Sequence, residues 1–244
     1  MQFYSITDKG KTRTNNEDSC FSKQTEDFTI LILADGMGGH KGGEIASNTA
    51  ILKVSSHLEE MLHKKLIPAQ ICSILSDAVK KANDAVYEIS KTEPELNGMG
   101  TTLDVCVVTG DTAYIAHIGD SRVYQITPHK KITPVTKDHS LIEYMIETGT
   151  ITREEAAYHP QKHIITRALG TDETANADIF QIKLKKSDIL LLCSDGLTNM
   201  LTDEQILSVM TKNSLKKGLH LLVDMANDAG GTDNITVIVA QSQN

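Results

Sequence analysis

Four aspartates in this 244-residue chain stand where an apolar run gives way to a turn. FTILILADG reaches Asp35, AYIAHIGDSR turns at Asp120, DILLLCSDG reaches Asp195, and GGTDNITVIVA begins its run just past Asp233. A fifth acidic stretch, RTNNED over 13–18, precedes a short strand-like run over 19–23. Taken singly, each is an ordinary turn, because aspartate bonds nearby backbone N–H groups and glycine tolerates positive φ. Taken together, they set a carboxylate at the mouth of four separate strands. If those mouths gather, the charges repel and raise one another's pKa. A hard divalent cation relieves that repulsion, and an all-oxygen donor set without His or Cys selects Mg²⁺ or Mn²⁺.

The stretch LILADGMGGHKGGE over 31–44 carries five glycines in the eight residues that follow Asp35. It is not a P-loop, since no Gly-Lys-Ser/Thr occurs, and the third position of G-x-G-x-x-G falls on Lys41. The D-x-D of aspartate-nucleophile phosphotransferases is absent too, with Leu33 two residues before Asp35. What remains is an aspartate at a strand end, followed by residues small enough to let a backbone carbonyl approach a cation.

The elements that must position these acids follow from periodicity. Phe28–Ala34 is β-rich and uncharged, which suits a strand buried on both faces. Apolar spacing predicts helices over Glu44–Leu62 and, more clearly, Ala69–Ser90. Strands are expected over Thr101–Val108, Thr112–Ile118 and Ser121–Ile126, then a mixed segment over Thr136–Thr171 in which TREE opens a short helix. Further strands follow over Ile179–Leu184 and Asp188–Cys193, helices over Glu204–Met210 (after the capping box TDEQ) and Leu215–Asp228, and a last strand over Asn234–Ala240. Helices that come in pairs between groups of strands give an α+β fold with the pairs outside packed sheets, not a doubly wound sheet.

Composition narrows the function class. Lys and Arg number 24 against 32 Asp and Glu, a formal charge of −8, which disfavours nucleic acid and anionic membrane as partners. No apolar stretch reaches membrane-spanning length, and MQFYSITDKGKTR lacks a signal-peptide core. Cys20, Cys72, Cys106 and Cys193 show no CxxC pairing and are expected to be structural thiols in a reducing cytoplasm. Without repeats or a Pro/Gly/Ser linker, the whole of 1–244 is expected to be one domain.

The motifs RxxNED, ADGMGGxxGGE, GMGTT, GDSR, CSDGL and GGTDNITV occur in this order from about Thr7 to Ala240. Any one is weak, but the ordered set resembles the metal-dependent serine/threonine phosphatases of the PPM (type 2C) family, bacterial branch. That resemblance implies a four-layer α-β-β-α sandwich of two antiparallel sheets flanked by helix pairs, with a flap subdomain at about 136–171. It implies a site holding two Mn²⁺ or Mg²⁺ ions, and a third where Asp120 joins the Asp195 position. Asp35 would bridge both ions, the carbonyl of Gly36 would bind one, and Asp195 and Asp233 the other. Asp18 would hold a metal-ligated water, with Glu17 in support. The implied reaction is direct attack of an activated water on phosphorus, without a phosphoenzyme. Arg13 would grip the phosphate, its plain alternative being a surface salt bridge. The substrates would be phosphoserine and phosphothreonine proteins opposing a Ser/Thr kinase, and a monomer is expected. Met37 departs from the pattern, since many eukaryotic relatives place a histidine there as general acid. His40, three residues on, is one substitute, its plain alternative being a solvent-facing loop histidine; a metal-ligated water is another, and His163 and Asp172 at the border of the flap are further candidates. Two rival functions stand beside this one. A catalytically silent scaffold of the same family would have lost Asp35 or Asp233, and both are present. A metal-dependent hydrolase of small phosphate esters would share the same acids.

Overall fold

The computed structural model describes residues 1–39, 41–63, 66–156 and 158–243. In chain order it forms β1 (Gln2–Asp8), β2 (Asp18–Gln24), β3 (Thr29–Met37), α1 (Gly42–Met61), α2 (Pro68–Thr92), β4 (Gly100–Thr101), β5 (Leu103–Thr109), β6 (Thr112–Ile118), β7 (Arg122–Thr127) and β8 (Lys131–Pro134). Then come α3 (Leu141–Glu147), α4 (Arg153–Ala156), β9 (Asp178–Lys183), β10 (Ile189–Cys193), α5 (Asp195–Thr198), α6 (Asp203–Lys212), α7 (Leu215–Asp228) and β11 (Ile235–Gln241). One antiparallel sheet runs β1-β11-β10-β7-β8, and the other runs β2-β3-β5-β6-β9, with β4 pairing on the end of β3.

The continuous apolar run of β3 is explained by burial on both faces. Ile30, Ile32 and Ala34 pack with Ala46, Ala50, Val54, Leu75 and Ala78 from α1 and α2. Leu31 and Leu33 face the other way, into a layer shared with Cys106, Ile115, Leu190, Leu192, Ile238 and Ala240 from both sheets. The outer face of the second sheet is covered likewise, with Leu191, Val237 and Val239 against Ile206, Leu219 and Leu222 of α6 and α7. The result is the expected sandwich with a helix pair on each side. Each fully buried Leu or Ile contributes about 1.5–3 kcal/mol, so these three apolar layers dominate the fold's stability.

Side chains alternate across a strand, so the inward-facing positions can be followed along each one. Leu31 and Leu33 lead to Asp35, Ile115 to His117, Cys106 back to Asp104, Leu192 to Ser194, and Ile238 back to Thr236. Asp104, His117, Ser194 and Thr236 are buried. The inter-sheet layer is therefore hydrocarbon through its middle and polar at one end, and that end carries the acids.

Both capping boxes form: Thr202 and Gln205 exchange backbone-to-side-chain bonds at 2.8 and 3.4 Å, and Thr152 and Glu155 do so at 2.8 and 3.2 Å. Four elements stand apart from the sequence expectation. Asp35 does not end its strand, because β4 pairs with Gly36 and Met37 and draws β3 on to residue 37. Helix α1 starts at Gly42, two residues before Glu44. β1 is an edge strand with mixed exposure, and β8 is only four residues long, so neither has a strong alternating pattern. Residues 136–171 leave β8, carry α3 and α4, and return to β9. Their two roots are tied together by Leu141 N–H to Ile164 O at 2.9 Å and Thr166 N–H to His139 O at 2.7 Å. Among the described residues, no helix is long and apolar enough to cross a membrane.

Candidate metal centre

Asp35 is held through its backbone: its N–H donates to Thr102 Oγ1, and its carbonyl accepts from Thr102 N–H and Thr101 Oγ1, all at 2.9 Å. Asp18 lies directly across the β2–β3 pair from Asp35. Asp120 sits in the β6–β7 turn after Gly119, whose φ of +119° requires glycine. Asp195 opens α5 and accepts from Asn199 Nδ2 at 2.9 Å. Asp233 precedes β11, accepts from Asn234 N–H at 2.8 Å, and pairs with Arg13 Nη2 at 2.8 Å. Strands from both sheets thus deliver their acids to one end of the sandwich.

A cavity of about 700 Å³ opens there, lined among others by Arg13, Glu17, Asp35, Gly36, Asp120, His163, Asp195 and Asp233. Asp18 lies beneath it, only 7% exposed. Of the residues expected at the site, these nine come together; His40 lies outside the described residues. Met37 lines the cavity as well. Lys162 and Asn199 share the wall without having been expected there.

The electrostatics show an unrelieved cluster. Burial pushes Asp18 up to about 7, opposed by hydrogen bonds from Thr236 and Ser194 and reinforced by the charges of Asp195 and Asp233. Burial also pushes Asp120 up to about 7, with Asp195 and Asp138 adding to it. Asp35 lies well above the usual carboxylate range, through burial and then the charges of Asp18, Asp195, Asp120 and Asp233. Asp195 is raised by burial and by Asp233. Among the described residues, no three Asp, Glu, His or Cys side chains already close on one point; the carboxylates ring the cavity.

The residues fit a hard dication. The donors are all oxygens, and the buried Asp18 Oδ1 has no hydrogen-bond partner. A side chain at Gly36 would run into the backbone carbonyls of Gly43 and Glu17, so the chain passes the cavity as bare backbone. Arg13 meets Asp233, so the salt bridge weighed against its phosphate role is formed, and it is formed at the cavity wall rather than on a remote surface.

Asn234 is a positioning residue that the motif reading passed over. Its Oδ1 accepts from Glu17 N–H at 2.8 Å, while its Nδ2 donates to the carbonyls of Lys9 and Asn15 at 2.9 Å each. One side chain thereby holds the loop that presents Arg13, Glu17 and Asp18. The signal available in the sequence was an amide immediately after a site aspartate, but its partners lie more than 200 residues away.

The chain matches the protein phosphatase 2C family over residues 8–228. The serine/threonine phosphatase stp of Listeria monocytogenes serotype 4b is 38% identical over 237 residues, spanning 96% of this chain and 93% of its own. The crystal structure of serine/threonine phosphatase Stp1 from Staphylococcus aureus is similar with a TM-score of 0.93 at 35% identity, covering 100% of this chain and 95% of that one. The catalytic domain of the serine/threonine phosphatase PstP, solved in complex with two manganese ions, gives 0.85 at 34% identity over 100% and 98% of the two chains.

Proposed function

This chain belongs to the protein phosphatase 2C family, and from that premise we propose that it is a metal-dependent serine/threonine phosphatase that removes phosphate from proteins. The observation that carries this is the ring of carboxylates from separate strands around one cavity, with a guanidinium on its wall. Asp35, Asp120, Asp195, Asp233 and the Gly36 carbonyl would hold Mn²⁺ or Mg²⁺, two ions in the core and a third through Asp120. When bound, such ions supply a water acidic enough to attack phosphorus near neutral pH, together with positive charge for the phosphoryl oxygens.

The chain's own residues do the rest. Asp18 offers its bare Oδ1 as a hydrogen-bond acceptor that orients a water from below the cavity. Arg13 swings from Asp233 to present its planar fork to phosphate oxygens. His163 is the imidazole on the described cavity wall and would protonate the leaving serine or threonine oxygen. Met37 has no proton to give. Glu17 supports the loop at the cavity edge. Lys162, His163 and Ile165 wall one side of the cavity, and the 136–171 segment they belong to would act as a flap that meets the substrate protein. The natural counterpart of such an enzyme is a Ser/Thr kinase.

The test is phosphate release from phosphothreonine and phosphoserine peptides with Mn²⁺, with and without chelator, for wild type and Asp233→Asn. Release that needs the metal and disappears in the variant is expected. Release that persists under chelation would overturn the metal assignment, and release confined to small phosphate esters would overturn the protein substrate. A second expectation concerns Arg13→Ala: losing a charge-assisted hydrogen bond should lower kcat/KM for phosphopeptide about 10- to 100-fold. Unaltered kcat/KM would leave Arg13 as a salt bridge only.

A further inference from the structure

Behind the Asp120 turn lies a row of polar groups, buried at one end and exposed at the other, that the reaction above does not use. Asp104, His117 and Asp178 sit opposite one another in a single row across β5, β6 and β9. Asp104 Oδ1 is 2.7 Å from His117 Nδ1, and both side chains are fully buried. His117 Nε2 donates to the carbonyl of Lys137 at 2.9 Å. Burial opposes a charge on His117, but the carboxylate of Asp104 outweighs it and holds the imidazole above its usual range. Its ring lies 4.6 Å from the ring of His139, centroid to centroid.

His139 is the junction. Its Nδ1 accepts the backbone N–H of Gly119 at 3.1 Å, which fixes the tautomer: the proton sits on Nε2, 3.2 Å from Asp178 Oδ2. Its backbone N–H donates to Gly119 O at 2.7 Å, and its carbonyl accepts from Thr166 N–H at 2.7 Å. Asp178 is in turn gripped by both terminal nitrogens of Arg167, at 3.0 and 3.2 Å. One residue therefore bonds the turn that aims Asp120 and both roots of the 136–171 segment.

We propose that His139, braced by the Asp104–His117 pair, is a positioning residue that locks the Gly119–Asp120 turn to the roots of the flap, so that the acid and the substrate wall are set by one buried imidazole. This rests on the phosphatase reading of the same site. The two ring nitrogens do different jobs: Nδ1 holds the turn, and Nε2 holds the flap root through Asp178. Partial isosteres separate them. In His139→Asn the side-chain oxygen stands near the Nδ1 position and keeps the Gly119 bond while losing Asp178. In His139→Gln the amide reaches toward Asp178 and leaves Gly119 N–H without its acceptor.

The experiment combines backbone amide exchange over 115–122 with kinetics on a phosphothreonine peptide and on p-nitrophenyl phosphate. His139→Gln is expected to speed exchange at Gly119 and to lower kcat for both substrates about 10- to 100-fold, the usual cost of losing a group that orients a metal ligand. His139→Asn is expected to keep that amide protected and to act mainly on the peptide, raising its KM about tenfold, with a smaller loss on the aryl ester. If either His139 variant fails to fold, Asp178→Asn at the exposed end of the row should still raise peptide KM while Gly119 stays protected. Equal effects of Asn and Gln on both substrates, or Gly119 exchange as in wild type for Gln, would overturn the division of labour. A wild type without phosphopeptide activity would instead overturn the phosphatase reading, and the exchange data would still decide whether His139 holds the turn.

Discussion

Asp18→Asn is expected to make the metal-free protein more stable at pH 8 while cutting phosphate release about 100-fold. The carboxyl of Asp18 is pushed from its ordinary 3.8 to about 7 by burial. The folded chain holds that proton up to about pH 7 and the unfolded chain releases it near 3.8, so the native state binds more protons between those values. Wild-type stability therefore falls as pH rises through that window, and above it the ionised group costs up to about 4 kcal/mol. An amide keeps the Ser194 hydrogen bond, which is 2.8 Å long in the wild type, and carries no charge. Allowing about 2 kcal/mol for its own burial, the gain in Tm should be about 4–8 °C at pH 8. The gain should shrink as pH falls from 7 towards 4. Saturating Mn²⁺ should reverse the order, because an ion that binds only the folded site stabilises the wild type more. Thermal unfolding with and without Mn²⁺ at pH 5 and 8 checks all of this. A metal-free variant less stable than wild type at pH 8 would show that the carboxylate cluster carries no strain.

Gly36→Ala should be severely destabilised. The added methyl would meet the backbone carbonyls of Gly43 and Glu17, and neither can move without shifting α1 or the acidic loop. A loss of at least about 3 kcal/mol follows. Gly39→Ala is the control. Its methyl meets nothing within 4 Å, and the only cost is a φ of +73°, about 1 kcal/mol. Urea unfolding of the two should therefore differ several-fold in effect. A Gly36→Ala protein as stable as Gly39→Ala would mean that the contact between β3, α1 and residue 17 is loose.

The sequence makes some of this legible and hides the rest for physical reasons. β3, β10 and β11 read clearly because burial on both faces removes every charge from the run. Their acids read clearly because a charge at the end of such a run is conspicuous. Asp104 and His117 were equally visible as polar residues inside apolar strands, at the same parity as Cys106 and Ile115, yet they drew no assignment. What they do depends on facing each other across β5 and β6, and on Lys137 and His139 packing over them. The same holds for Arg122, whose Nε and Nη2 reach Asp138 at 2.8 and 2.7 Å. Local patterns show where an apolar run ends; they do not show which distant group meets it there.

The order of strands in the first sheet bears on how the protein is made. β11 lies between β1 and β10, so the first of the described strands has its sheet partner among the last residues described. While a ribosome still holds residues 233–241, β1 has no neighbour in its sheet. Arg13 then lacks Asp233, and the loop over 9–17 lacks the amide that clamps it. The second sheet and its helix pair can assemble earlier, but the cavity wall is incomplete until β11 slots in. On the proposed metal assignment, loading would follow the closing of the sheet, and an incomplete chain would be a poor chelator and an inactive enzyme.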